Sequence, residues 1–359
     1  MYKKTIALLL LSLVLPLLAA CGGTDTPTAG PAPTNTAGAA GAAATSTTGA
    51  ATTGSGATYV LVPKNLGNPY FDTANKGAQA AAKELGVQVT YTGPATADAT
   101  QQIQLINALI AQHVKGLAIS ADDSDALVGV GKTAMGQNIP VVSWDSAVAA
   151  GGRNVHINQA KSEDIGRSEI TLVSKLIGGK GKIAILSATS TAPNQNEWIG
   201  FMKDELSKPA NSGLQLVATV YGDDQDEKSY TQAQALMQSY PDLKAIIAPT
   251  TVGIAAAARA VTDAKKIGQV MVTGLGTPNT MRAYVKSGAA PAFELWNPSD
   301  LGYLAIYTLD AIASGKIKGS PGDTFTAGKL GSYTIAADGT VLLGIPTVFD
   351  ATNIDNFNF

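Results

Sequence analysis

The chain has 359 residues, a formal net charge of -2 at pH 7, one cysteine and two histidines. The near-neutral balance, with no basic stripe, excludes nucleic acid as a partner. The lone cysteine excludes a disulfide framework or thiolate metal site, and two histidines starve most hydrolytic and zinc chemistries, so neither metal nor cofactor is expected.

Lys3 and Lys4 open the chain. An apolar run over 6–18 follows, too short to span a bilayer comfortably, and small residues close it as in a secretory signal peptide. Leu18-Ala19-Ala20-Cys21 resembles the lipobox of bacterial lipoproteins. That resemblance implies that 1–21 is a lipoprotein signal, with Cys21 lipidated and anchoring the protein to the membrane from outside the cytoplasm. Residues 22–57 are almost wholly Gly, Ala, Thr, Ser and Pro, with Asp25 the only charge. Such a segment buries too little to offset its ordering entropy, and it is predicted as a disordered linker reaching on the order of 30 Å.

From residue 58 onward, apolar runs of strand length alternate with helical patterns. The first series predicts strands at 59–62, 87–91, 116–120 and 140–143, separated by helices over 71–85, 99–112 and 125–137. After Val155-His156-Ile157 the cycle restarts, with helices over 163–176, 197–207, 228–239 and 254–265 leading to strands at 182–186, 214–220, 245–248 and 270–273. The apolar segment 292–295, a helix over 300–312 and short strands near 333–335 and 341–343 complete the chain. Continuous apolar strands joined by helices are the mark of buried parallel sheets. The fold class is therefore α/β, with two doubly wound parallel-sheet lobes.

In such sheets, ligands bind beyond the carboxyl ends of the strands. Those positions hold Lys64, Asn68, Tyr70 and Phe71; Trp144 and Asp145; Asn194, Gln195 and Trp198; Thr250 and Thr251; and Trp296 and Asn297. All three tryptophans stand beside a carboxylate or amide. Aromatic faces with oriented polar groups suit a sugar, whose C–H faces stack while its hydroxyls need matched donors and acceptors. The acidic runs 122–125 and 223–227 lack calcium-loop spacing and read as helix caps and surface charge, with Asp122 or Asp123 as an alternative contact at the cleft rim. The glycines around Lys180 precede a strand instead of following one, so they form no phosphate loop. His113 and His156 supply no catalytic set, and no enzyme is expected.

The folded part resembles the type I periplasmic sugar-binding proteins, in the branch that binds rhamnose and the furanose autoinducer-2. The resemblance is carried by Pro63-Lys64, Gly67-Asn68-Pro69-Tyr70-Phe71, Val142-Ser143-Trp144-Asp145-Ser146, Asn194-Gln195-Asn196-Glu197-Trp198, Thr277-Pro278-Asn279 and Leu295-Trp296-Asn297-Pro298. It implies a monomeric substrate-binding component of an ABC importer, whose lobes close about a three-stranded hinge and present a sugar to a membrane permease. The hinge crossings then fall near 158, 296 and 326. Lobe one comprises 58–158 and 296–325, and lobe two comprises 159–295 and 326–359. Lys64 and Asp145 match ligand-contacting positions, Asn68, Tyr70 and Phe71 match the first loop, and Asn194 and Gln195 match the closing lobe. Asn194 stands where the autoinducer-2 binders are expected to have aspartate, and Thr251 where they have alanine. The lost carboxylate removes a strong acceptor and points to a rhamnose-like sugar. A signalling receptor for autoinducer-2 or a related furanose is the alternative.

Overall fold

In the structure, a computed structural model that describes residues 58–359, the apolar runs become strands because both their faces are covered. The signal segment, Cys21 and the linker lie outside the described residues. The first series runs β1 (Tyr59–Val62), α1 (Pro69–Leu85), β2 (Val89–Tyr91), α2 (Ala99–Ala111), β3 (Gly116–Ile119), α3 (Val128–Gly136), β4 (Val141–Trp144) and β5 (Val155–Asn158). β1, β3 and β4 are buried at every position, as the interior strands of a sheet sandwiched between helices must be.

The second series runs α4 (Ser162–Ile177), β6 (Gly181–Ser187), α5 (Pro193–Leu206), β7 (Leu214–Tyr221), α6 (Asp226–Ser239), β8 (Leu243–Ala248), α7 (Thr251–Asp263), β9 (Met271–Gly274), α8 (Pro278–Ser287) and β10 (Ala292–Leu295). The chain ends with α9 (Pro298–Ala313), β11 (Thr324–Thr326), β12 (Ser332–Thr334), β13 (Thr340–Leu342) and β14 (Thr347–Asp350). Two parallel sheets result, ordered β13-β5-β4-β3-β1-β2 and β7-β6-β8-β9. β10 and β14 pair antiparallel, and a parallel bridge from Leu275 to Glu294 ties them to the second sheet. The fold is thus two-lobed α/β with parallel sheets.

The chain passes between sheets after β5, after β10 and after β13. The last passage departs from the sequence, which assigns 326–359 to lobe two with a crossing near 326. Instead Thr340–Leu342 pairs in parallel with β5 on the edge of the first sheet. A three-residue strand has no periodicity that names its sheet.

α9 returns to the first lobe through backbone contact with α1. A Cβ on Gly77 would sit 1.7 Å from the Ser299 carbonyl oxygen, and one on Gly302 would sit 2.0 Å from that of Ala74. Only glycine permits that approach.

Four helices carry proline in their first turn: α1, α5, α8 and α9. Proline fits there because its missing N–H is unpaired anyway and its φ is pre-set. Periodicity starts α1, α5 and α9 two to four residues late and misses α8. The error matters, because the skipped first turns carry cleft residues.

Candidate functional site

Between the sheets lies a small cavity of ≈ 30 Å³. Its first-lobe wall is Lys64, Asn68, Tyr70, Phe71 and Asp145. Its second-lobe wall is Asn194, Gln195, Trp198, Asp224, Pro249, Thr250, Thr251, Leu275 and Leu295, with Trp296 at the crossing. Tyr70 and Phe71 ride the first turn of α1, Asn194 and Gln195 that of α5, and Thr251 opens α7. Helix N-termini carry partial positive charge, which suits a cavity containing two carboxylates.

Asp145 is the best-supported group. It follows β4 at φ 59°, a left-handed conformation that costs a non-glycine residue about 1–3 kcal/mol. Its Oδ1 accepts from the Tyr70 hydroxyl at 3.0 Å, and its Oδ2 from the Ser120 hydroxyl at 2.8 Å. The Trp296 Nε1 donates to the Tyr70 oxygen at 2.9 Å, completing a relay. Burial pushes the Asp145 carboxyl up, opposed by Lys64 and by the Ser120 and Tyr70 hydrogen bonds. Lys64 is 4% exposed, with its Nζ 5.9 Å from the Phe71 ring centroid.

Asn194 reaches across the cleft. Its Nδ2 donates to Asp145 Oδ1 and its Oδ1 accepts from the Ser146 hydroxyl, both at 3.4 Å. The Thr251 hydroxyl donates to Asn68 Oδ1, also at 3.4 Å. These contacts define a closed arrangement of the lobes. Gln195 is fixed from its own lobe, its Oε1 accepting from Ser187 Oγ at 2.7 Å and Ala188 N at 2.8 Å. That turns its Nε2 donors toward the cavity. Trp198 packs against Trp296 at 5.9 Å, and its Nε1 is buried without a partner.

Two residues expected in the site are not on its wall. Trp144 is the last residue of β4 and fully buried behind Phe71, edge-on at 5.7 Å. Asn297 caps α9, accepting from Ser299 N at 3.0 Å. Trp198, on the wall, lies within α5.

Asp224 is the wall residue that the sequence misreads as surface charge. It is buried, takes a left-handed φ of 52° after Asp223 at 54°, and accepts a hydrogen bond from the Thr250 hydroxyl. Two adjacent non-glycine residues in that region mark a tight turn aimed inward, a signal invisible in composition. Asp122, read from the sequence as surface charge or a cleft-rim contact, has both carboxylate oxygens buried without partners. Burial pushes its carboxyl up to about 8, opposed by Lys64 and reinforced by Asp224.

Among the described residues no helix is long and apolar enough to cross a membrane. Residues 59–317 match the family model for the periplasmic binding protein domain. A sugar ABC transporter structure from Actinomyces odontolyticus is 45% identical, with TM-score 0.68, covering 84% of this chain and 98% of its own. An ABC transporter solute-binding protein from Clostridium phytofermentas with bound L-rhamnose is 39% identical, with TM-score 0.81 and the same coverages. LsrB from Clostridium saccharobutylicum, in complex with AI-2, is 25% identical, with TM-score 0.80, covering 84% of this chain and all of its own. Members of this family are extracytoplasmic solute-binding proteins that serve transport rather than catalysis, and they partner typically with an ABC permease. The chain belongs to the periplasmic binding protein family, among the sugar-binding components of ABC transporters.

Proposed function

We propose that this protein captures a neutral, rhamnose-like monosaccharide outside the cytoplasm, tethered through lipidated Cys21, and delivers it to an ABC permease. The observation that carries the reading is Asp145. It is a buried carboxylate held in fixed orientation by Tyr70 and Ser120, within a cavity walled by both lobes. Lys64, Asn68 and Asp145 capture the sugar on the open first lobe. Asn194, Gln195 and Thr250 then close over it, with Asp224 adding a second-lobe acceptor. Phe71, Trp198 and Trp296 supply the apolar surface that a 6-deoxy sugar's methyl group needs. Closure follows because the ligand touches both walls only when the lobes meet, and only such differential affinity shifts the equilibrium.

The cavity wall includes no arginine, so a carboxylate or phosphate ligand has no bidentate partner there. Support for rhamnose over autoinducer-2 comes from Asn194 replacing the expected aspartate and from the 39% identity to the rhamnose-bound protein. The test is calorimetric titration of the purified protein with L-rhamnose, L-fucose, D-ribose, D-xylose and autoinducer-2. Saturable binding of L-rhamnose, tighter than of the others, is the expected result. Binding of autoinducer-2 alone sinks the importer reading in favour of a signalling receptor.

A further inference from the structure

We propose that the closed cleft continues into a second subsite for a neutral hydroxylated substituent on the sugar, so that the ligands include O-glycosides as well as free monosaccharides. The inference rests on the reading above in taking the first cavity as the sugar site.

A second cavity of ≈ 270 Å³ adjoins the first, and Asn68, Asp224 and Thr251 line both. The partition between them is slight. It includes the Thr251 hydroxyl to Asn68 Oδ1 contact, long at 3.4 Å, whose acceptor is already engaged by Tyr70 N at 3.0 Å. A rotamer change at Thr251 breaks it. Because that contact is itself made between the lobes, the second cavity is present in the closed arrangement, where a site sized for one sealed ring would have no continuation.

Its wall is built for a hydroxylated group. Asn65 lines it and is 7% exposed, and its Oδ1 is buried with no partner. An acceptor left unpaired is costly, and a turn of the Asn65 side chain, whose Nδ2 makes only a 3.4 Å contact to the Leu66 carbonyl, would present it to a ligand hydroxyl. Val252 and Ala255 of α7 add an apolar surface that suits the C–H face of a second ring. The Asp224 carboxylate accepts hydroxyl hydrogens and repels anions, which rules out a phosphate substituent. Room for a further ring and a mixed polar and apolar wall together define the class.

The test is calorimetry on the purified protein, comparing each monosaccharide of the panel with a disaccharide carrying the same ring at its non-reducing end. The expected result is that the disaccharide of the preferred sugar binds at least as tightly as the free sugar. Val252→Trp, which fills the second cavity, then weakens the disaccharide about tenfold or more while leaving the monosaccharide within about twofold. Asn65→Ala weakens the disaccharide alone and, removing only a long 3.4 Å hydrogen bond to the Leu66 carbonyl, leaves folding intact. A monosaccharide that binds while its disaccharide loses on the order of 100-fold overturns the subsite and leaves the sugar site standing. Disaccharide affinity indifferent to both variants overturns its location. If neither sugar form binds, both readings fall.

Discussion

Asp145 and Asn194 face each other across the cleft with unequal support. On the first-lobe side, Tyr70 and Ser120 hold the carboxylate at 3.0 and 2.8 Å, and Trp296 holds Tyr70 at 2.9 Å. On the second-lobe side, the contacts that cross the cleft from Asn194 and Thr251 are long at 3.4 Å, while Asn194 Oδ1 also accepts from Gln195 N at 2.9 Å within its own lobe and Trp198 Nε1 has no partner. Each wall holds its polar groups from its own lobe, Asp145 through Tyr70 and Ser120 and Gln195 through Ser187 and Ala188, whereas the contacts that join the walls are long and leave the ligand to complete them. The difference assigns recognition to the groups each wall fixes and the closing step to the contacts between the walls.

The largest expected break is Asp145→Ala. It leaves the Tyr70 and Ser120 hydroxyls and the ligand's own hydroxyls unmatched, and sugar affinity should fall by about 3 kcal/mol or more in calorimetry. An unchanged affinity would falsify the assignment of that wall.

Asp122 sharpens the comparison through pH. Its folded pKa, about 8, lies above the ordinary 3.8, so the folded chain holds a proton that the unfolded chain releases. Its favourable contribution is complete below the unfolded value and is lost as pH rises toward about 8. Asp122→Asn should therefore raise the melting temperature at pH 8 by the equivalent of a few kcal/mol, with little change near pH 4. Equal shifts at both pH values would remove titration as the cause.

Asn194→Asp places a second carboxylate against Asp145. Like charges raise one of the two pKa values, so affinity should drop by about 1–2 kcal/mol at pH 8 and recover toward pH 5. Tyr70→Phe cuts the relay from Trp296 to Asp145 and should cost about 1 kcal/mol of affinity, with a matching loss in urea midpoint. Smallest of all, Trp198→Phe removes a donor that has no partner. Affinity should move by less than about 1 kcal/mol while much of the closing fluorescence change disappears; a tenfold loss would mean that the indole N–H bonds the ligand.

Legibility in the sequence follows the same division. Apolar strands and helical periods disclose both sheets, because burial on two faces writes itself into residue type. Lys64, Asn68, Asp145 and Gln195 are legible because polar residues follow strand ends there. Asp224 is not, since nothing in a run of acidic residues tells which one a left-handed turn directs inward. Asn297 misleads for the opposite reason: an asparagine before Ser and Pro serves a helix cap as readily as a ligand. Trp144 fails on depth, being one residue too early to clear the strand. β13 fails on length.

The glycine contact between α1 and α9 has a consequence for the order of assembly. Strands β6 to β9 and the helices between them are contiguous in the chain, so the second sheet can form as soon as its own residues exist. Strands β1 to β5 are contiguous too, but the α9 cover and the β13 edge strand of the first sheet arrive only after the whole second sheet has been made. Docking Gly302 against Ala74 joins residues far apart in sequence, and closing such long loops is slow. Until it happens, the α1 face that receives α9 lies bare, an aggregation-prone species during folding. Enlarging Gly302 should therefore slow maturation of the first lobe specifically, with the second already protected from proteolysis.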